Sequence, residues 1–440
     1  MEEQILIESL SHGKAGIGHT SDGKAVFVAK AAPGDLALVA IDEDKGNYCV
    51  GHLSELIEAS PVRVLPPCPF FESCGGCPWQ HLGYPTQLAA KRDAVVSALV
   101  HTARFDKPTA EGLVAPCKAS ARELGYRNKL EFGAAFDENA GFDLGFYEEG
   151  SHVITSPESC LVAHRPIVES PKALRGALRY LCGKHDLGIF RIGVRASLRS
   201  KDVEVALWTV PGAFPRHDCV PMLKSALGTT SIVRVVADPG KSRKVKGVEA
   251  LDGKGFWEER LGDTVFMTSA PSFFQVNTAQ AEVLVDEVIE GLCLGGDMRV
   301  ADLFAGGGTF AIALAQKAAV VFAVESAASS VKDLRRNAQR NNAPIEVIGG
   351  DSARCLPGLG RLDAVVIDPP RAGLAPPMIE AIASARPNRV AYVSCNPATW
   401  ARDVARLREK GYALTGAQPI DLFPQTYHVE VASFFDRSKE

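Results

Sequence analysis

Two residues far apart in the C-terminal third have the types needed for nucleophilic chemistry on an electron-poor carbon. Cys395 lies in "SCNPATW" and Glu430 closes "DLFPQTYHVE". A thiolate can form a bond to carbon, and a carboxylate can take a proton from the carbon next to it. Upstream, "VADLFAGGGTFAIALA" reads as a strand, a glycine turn and a helix. Gly306, Gly307 and Gly308 allow a tight turn and a close ligand approach, and the helix start favours a partly negative group. Gly306, Gly308 and Ala311 satisfy G-x-G-x-x-A, so a dinucleotide site is one reading, with Glu325 at the next strand end on the ribose hydroxyls. "DPPR" (Asp368 to Arg371) and "SCNPATW" have no role in hydride transfer, whereas both suit a methyltransferase with S-adenosylmethionine over the same strand ends. On that reading Phe304, the glycines and Thr309 line the methionine end and Glu325 holds the ribose. Asp351 either meets the adenine or caps the helix after it.

These groups need elements that bring them together. From about residue 270 the pattern alternates strand and helix: "RVADLF", "AVVFAV", "IEVIG", "LDAVVID", "RVAYVS", "YALTGAQ" and "VEVASFF" are strands, separated by "TFAIALAQK", "SSVKDLRRNAQRN", "PPMIEAIAS" and "TWARDVARLREK" as helices. Such alternation predicts an α/β fold, a parallel sheet with helices on both faces. The short link before the last strand makes that strand antiparallel. Asp368 and Cys395 then follow parallel strands, and Glu430 opens the antiparallel one, so all three fall on the ligand-binding edge. A thiol and a carboxylate beside a methyl donor suit carbon 5 of a uracil. Thiolate addition at carbon 6 makes carbon 5 nucleophilic, and a base must later remove its proton. Cys395 is the nucleophile on this reading and Glu430 the base. The competing reading of Cys395 is an inert core residue.

The chain has 440 residues and a net charge of −4. Its length implies two or three domains, and no apolar run reaches the roughly 18 residues of a membrane span. The sequence therefore predicts a cytoplasmic protein. Residues 1–60 read as the closely spaced strands of a small barrel: "ILIESL", "KAVFVAKA", "LALVAI" and "YCVGHL". Residues 61–265 form a central region of mixed signals, and 266–440 the alternating domain. The central region opens on Cys68-x5-Cys74-x2-Cys77, and Cys117, Cys160, Cys182 and Cys219 follow as candidates for a fourth ligand. In a cytoplasmic chain such spacing favours a metal centre over disulfides, and both zinc and an iron–sulfur cluster accept four cysteines. A basic patch is expected at "GKSRKVKG", with Lys241, Arg243, Lys244 and Lys246 either on nucleic acid or in a solvated turn.

The motifs "FFQVN" (Phe273 to Asn277), "DLFAGGGTF", "VVIDPPRAGL", "YVSCNPATWARD" and "DLFPQTYHVE" occur in the order found in the RNA 5-methyluridine (uracil-C5) methyltransferases, and the chain resembles that family over nearly its whole length. The resemblance implies a Rossmann-like methyltransferase domain, with Cys395 as nucleophile, Glu430 as base, and Gln275, Phe304, Glu325 and Asp368 around cofactor and uracil. Thr309 stands where the family often has Asn. In the ribosomal branch of that family, a "CGGC" segment followed by Gln80 and His81 shares a [4Fe-4S] cluster with a cysteine after "SHVITSPES". That implies Cys68, Cys74, Cys77 and Cys160 as ligands. "GKAGIGHTSDGKAVFVAKAAPGD" resembles a TRAM domain, an OB-like RNA-binding barrel, in which Phe27 and Tyr48 stack on bases or simply fill the core. "YRNKLEF" also matches, with Arg127 and Lys129 as phosphate contacts or a salt-bridged strand. The expected partner is RNA unstacked at the target uracil, 23S ribosomal RNA ahead of transfer RNA uracil 54, and the expected enzyme is a monomer. Base N-methylation is the first alternative, weakened because Arg371 replaces the stacking aromatic of that class. An RNA-binding or folding factor with a vestigial methyltransferase domain is the second.

Overall fold

Alternating apolar residues in short, turn-punctuated runs close the N-terminal segment into a barrel. The computed structural model describes residues 2–148, 150–240 and 244–438. Strands β1 (Glu2–Leu10), β2 (Ala15–His19), β3 (Ala25–Ala29), β4 (Leu36–Asp44) and β5 (Tyr48–Glu58) run in the order β1-β2-β3-β5-β4, and β4 returns to β1. Ile5, Ile7, Val26, Val28 and Val39 fill the inside. Strand β2 was absent from the sequence expectation because Gly16 and Gly18 blunt its pattern. A Cβ at Gly18 would lie 2.4 Å from Ile5 Cγ2 and 2.5 Å from the Leu6 carbonyl oxygen, so close barrel packing excludes a side chain there. Strand β3 stops at Ala29, short of its apolar run, because Lys30 takes a left-handed φ of 56°. Phe27 and Tyr48 meet edge to face at 5.4 Å, with Tyr48 39% exposed.

After the cysteine-rich loop come helices α1 (Tyr84–His101) and α2 (Lys107–Leu113). A seven-stranded sheet follows, built from β6 (Lys129–Asp137), β7 (Gly141–Tyr147), β8 (Ile154–Thr155), β9 (Ile189–Ala196), β10 (Val203–Thr209), β11 (Ser231–Ala237) and β12 (Val245–Asp252), in the order β12-β11-β10-β9-β6-β7-β8. Only β10 and β11 run parallel among its paired strands. One face carries Leu130, Phe132, Ile192, Val194, Val205 and Leu207 beneath α3 (Ser170–Cys182) and α4 (Arg216–Leu227). The alternate residues put Lys129, Glu131, Arg191, Arg195 and Glu204 on the other face, which explains the mixed hydrophobic signal. Buried Arg195 there donates to the carbonyls of Ser269 (3.0 Å) and Ser272 (2.5 Å) in the segment leading to the C-terminal domain. Residues 241–243 of the expected basic patch lie outside the described residues, and Lys246 pairs with Asp238 at 2.6 Å.

A hairpin of β13 (Trp257–Leu261) and β14 (Thr264–Thr268) leads to the third sheet. Its strands are β15 (Arg299–Leu303), β16 (Val320–Glu325), β17 (Ile345–Gly349), β18 (Ala364–Ile367), β19 (Arg389–Ser394), β20 (Tyr412–Ile420) and β21 (Glu430–Arg437), in the order β17-β16-β15-β18-β19-β21-β20. The first five are parallel, and β21 is antiparallel to both neighbours. Helices α5 (Thr278–Leu292), α6 (Thr309–Leu314) and α7 (Ala328–Arg340) cover one face. The short α8 (Ser352–Cys355), α9 (Pro376–Ala385) and α10 (Pro397–Glu409) lie on the other, where Val95, Val96 and Leu99 of α1 join the core. No described helix is long and apolar enough to cross a membrane.

Trp400 is fully buried in α10, and its Nε1 donates to Ser433 Oγ of β21 at 2.9 Å. It ties the helix after Cys395 to the strand that begins at Glu430. Trp400→Ala removes a large core side chain, so unfolding followed by urea titration is expected to show a loss of about 3–5 kcal/mol. A loss below about 1 kcal/mol would mean that this contact does not secure the two elements.

Candidate active site

The sheet register brings the expected site residues to one edge. Leu303 pairs with Val324 and with Ile367, so the next residues, Phe304, Glu325 and Asp368, leave their strands side by side. Ser394 pairs with Val431 in the antiparallel β19–β21 ladder. One step further, Cys395 stands opposite Glu430.

The glycine turn is shaped by backbone conformations that most residues avoid. Phe304 has a φ of 65°, an uncommon left-handed value for a bulky residue, followed by Gly306 at 55° and Gly308 at 93°. A Cβ on Gly308 would stand 2.5 Å from Leu334 Cδ1, whereas one on Gly306 would enter open space. Glu325 closes the turn, its two oxygens accepting from the backbone N–H of Gly306 (2.9 Å) and of Ala327 (2.6 Å). Each oxygen keeps further acceptor capacity. Thr309 is the first residue of α6, and Asp351 accepts from the Arg354 N–H at 3.1 Å as the cap of α8. Gln275 is buried with its Oε1 unpaired, an acceptor without a protein donor. Asp302, which the sequence reading did not single out, is fully buried under the turn. Its Oδ2 accepts from the Ala311 N–H at 2.8 Å, and burial, reinforced by Asp368, pushes its carboxyl well up.

Cys395, Asp368 and Glu430 share a protein-walled environment. Burial pushes the Cys395 thiol up to about 11, Glu430 and Asp368 add to the rise, and the Arg371 guanidinium, hydrogen-bonded to the sulfur, opposes it. Burial also holds the Glu430 carboxyl well above the usual range, with Asp368 adding and Arg371 opposing. Asp368 is open on one side, yet the surrounding protein raises its carboxyl to about 7. Cys395 and Arg371 border a cavity of about 530 Å³ with His12 of the barrel, His101 of α1, and Tyr427 and His428 of the loop before β21. Sequence reasoning placed Arg371 only as a missing aromatic and did not reach His12, His101, Tyr427 or His428. Tyr427 and His428 were nonetheless inside the quoted "DLFPQTYHVE".

Residues 360–438 match the family described as tRNA (uracil-5-)-methyltransferase, and residues 2–53 match the TRAM domain. An RNA methyltransferase of Gloeobacter violaceus whose function is uncharacterized is 37% identical, over 99% of this chain and 96% of its own length. Another, from Halalkalibacterium halodurans, is 34% identical over 97% and 95%. The chain belongs to the RNA (uracil-5-)-methyltransferase family. Its fold is similar to that of the Pyrococcus abyssi tRNA (uracil-54, C5)-methyltransferase solved with S-adenosyl-L-homocysteine. The TM-score is 0.77 at 26% identity, over 98% of this chain and 99% of that one.

In this RNA methyltransferase the N-terminal cysteines lie apart from the reacting edge. Cys68, Cys74, Cys77 and Cys160 border one small cavity of about 30 Å³. The N–H groups of Gly76 and Val162 are directed at the sulfurs of Cys74 and Cys160. The other candidates are elsewhere: Cys182 and Cys219 sit in the core of the central sheet, and Cys117 lies beside Asp421. Among the described residues, no group of three or more His, Cys, Asp or Glu side chains is arranged to hold a metal ion. Arg127 lies near Cys77 and Cys160, while Lys129 pairs with Glu131 at 3.1 Å, the salt-bridged alternative of the sequence reading.

A thiol raised to about 11 is protonated at neutral pH in the free methyltransferase. Below that value, each unit rise in pH therefore multiplies its thiolate about tenfold. Alkylation of Cys395 by iodoacetamide, followed by mass spectrometry of its peptide, is expected to accelerate about 100-fold from pH 7 to pH 9. A rate that levels off by pH 8 would contradict the assigned environment.

Proposed function

We propose that the protein methylates carbon 5 of uracil in RNA through a covalent bond between Cys395 and carbon 6, with Glu430 as the base. The observation that carries this reading is the β19–β21 register, which sets thiol and carboxyl side by side where the glycine turn opens. The Cys395 thiol loses its proton to solvent water as its sulfur forms the bond to carbon 6, and the electron pair of the 5,6 double bond moves toward carbon 5 and the carbon-4 oxygen. When bound, S-adenosylmethionine supplies an electrophilic methyl group to carbon 5. Glu430 then takes the carbon-5 proton, the double bond re-forms, and the thiolate leaves. A buried carboxyl with a raised pKa is a strong acceptor for that proton once ionised.

The donor assignment draws on the S-adenosyl-L-homocysteine complex of the similar Pyrococcus abyssi enzyme, and on the open side of Gly306 and the unpaired Gln275 Oε1. Phe304, Gly306, Gly308 and Thr309 hold the methionine end, Glu325 the ribose and Asp351 the adenine side. Gln275 and Asp368 lie between donor and uracil. Residues 1–60 bind RNA, 61–265 shape the RNA surface, and 266–440 carry the reaction. The reading also takes the enzyme to act as a monomer in the cytoplasm, where its RNA substrate is. A [4Fe-4S] cluster on Cys68, Cys74, Cys77 and Cys160 is supported by four thiols around one cavity and two N–H groups directed at sulfur. Its part is structural: the loop that bears it touches the barrel through Lys30–Glu72 (2.6 Å) and the central sheet through the Gly75 N–H to the Tyr147 carbonyl (3.2 Å). We favour 23S ribosomal RNA, on the cysteine set combined with the TRAM barrel. Transfer RNA is the second reading, favoured by the Pyrococcus abyssi similarity.

Glu430→Gln blocks only the last proton transfer. With S-adenosylmethionine and unmodified 23S ribosomal RNA it is expected to accumulate an RNA–protein adduct on denaturing gels, absent when Cys395→Ala is added. Normal turnover by Glu430→Gln would refute the assigned base, and an adduct with transfer RNA alone would select the second substrate. For the cluster, anaerobically purified protein is expected to contain about four iron and four sulfide per chain, both lost in Cys74→Ala. Zinc without sulfide would exclude it.

A further inference from the structure

The catalytic base is not held by its own domain alone. Nine residues before Glu430 the chain passes Asp421, whose side chain is completely buried, and there it meets Lys91 of α1, also completely buried, at 2.5 Å. Lys91 Nζ donates a second bond to the Phe423 carbonyl at 3.0 Å. Asp421 in turn accepts from the Phe423 N–H (3.0 Å) and from Tyr84 Oη (2.9 Å). One turn away on α1, Gln87 grips the same loop by both ends of its amide. Its Nε2 donates to Gln425 Oε1 at 3.0 Å, and its Oε1 accepts from the Gln425 N–H at 2.9 Å. Gln425 has a φ of 70°, a backbone state that a non-glycine residue holds only when its surroundings impose it. The Gln425 carbonyl accepts from the Trp79 N–H at 3.0 Å, two residues after Cys77. Tyr427, His428 and Glu430 follow directly.

We propose that Lys91 and Gln87 are positioning residues for Glu430: from one face of α1 they fix the 421–428 loop that delivers the base to Cys395. This rests on the reading of Glu430 as the base. A buried ion pair stabilises a fold little more than a well-packed apolar pair of similar volume, so stability alone gives no reason for charge here. Directional bonds at two points of one loop do give a reason, because proton transfer tolerates little misplacement of the acceptor. The step that depends on this loop is removal of the carbon-5 proton. Bond formation by Cys395 depends instead on β19 and the start of α10.

The test compares full-length Lys91→Met/Asp421→Asn, which neutralises the pair together, and Gln87→Leu, which leaves the pair intact, with Glu430→Gln. Each is given S-adenosylmethionine and unmodified RNA from a strain lacking the enzyme. Both loop variants are expected to lose about tenfold or more in kcat while KM for RNA stays within about twofold, and to accumulate the same denaturation-resistant adduct as Glu430→Gln. A role in folding alone lowers the melting temperature without trapping an adduct. Either loop variant turning over at the wild-type rate, or slowing without adduct while Glu430→Gln shows it, overturns the positioning role. If the neutralised pair does not fold, Gln87→Leu decides by the same readout. Absence of adduct in Glu430→Gln itself removes the base assignment and this inference with it.

Discussion

The antiparallel pairing of β21 with β19 is the constraint on which the rest of the site depends. In a wholly parallel sheet the start of the last strand would lie at the edge opposite the ends of the others, and Glu430 would be a full strand length from Cys395. Reversing that one strand puts its first residue beside the end of β19, on the same sheet edge as the ends of β15, β16 and β18. Trp400, Ser433 and Tyr392 lock the arrangement from within: the indole donates to the Ser433 hydroxyl, which donates to the Tyr392 carbonyl at 2.9 Å. The register thus puts the Cys395 thiol, the Glu430 carboxyl and the glycine turn on one edge.

The same edge is poor in solvent and rich in acidic groups. Asp302, Asp368 and Glu430 all have carboxyls raised chiefly by burial, and the Arg371 guanidinium opposes the rise at Glu430 and at Cys395. In such surroundings neutral forms are favoured at rest, and proton movements accompany each bond change at the substrate. The cavity beside Cys395 is bounded by the barrel as well as by the catalytic domain, with His12 bonded to Ser97 of α1 at 2.9 Å.

Much of this was legible in the sequence, and the exceptions have physical causes. The strand–helix alternation after residue 270 is regular because parallel strands covered on both faces read as unbroken apolar runs, so the edge carrying Glu325, Asp368 and Cys395 could be placed. Glu430 followed from a link too short for a parallel crossover. Strand β2 was hidden by glycines that barrel closure requires. In the central sheet the charged residues Lys129, Glu131, Arg191 and Arg195 alternate with apolar ones as on a half-buried strand, but no local pattern gives the order in which its distant strands pair. The contacts that hold the 421–428 loop join residues about 330 positions apart, such as Lys91 and Asp421, and no local pattern announces them.

The most direct measurement of the central claim uses RNA in which the target uridine carries fluorine at carbon 5. Wild-type enzyme and S-adenosylmethionine can then carry the reaction as far as the methylated adduct, but Glu430 has no proton to take. The expected result is a one-to-one complex that survives denaturation, with the methylated, fluorinated nucleotide mapped by mass spectrometry to the peptide containing Cys395. Absence of a stable complex, or attachment to any of the other cysteines, would contradict the account.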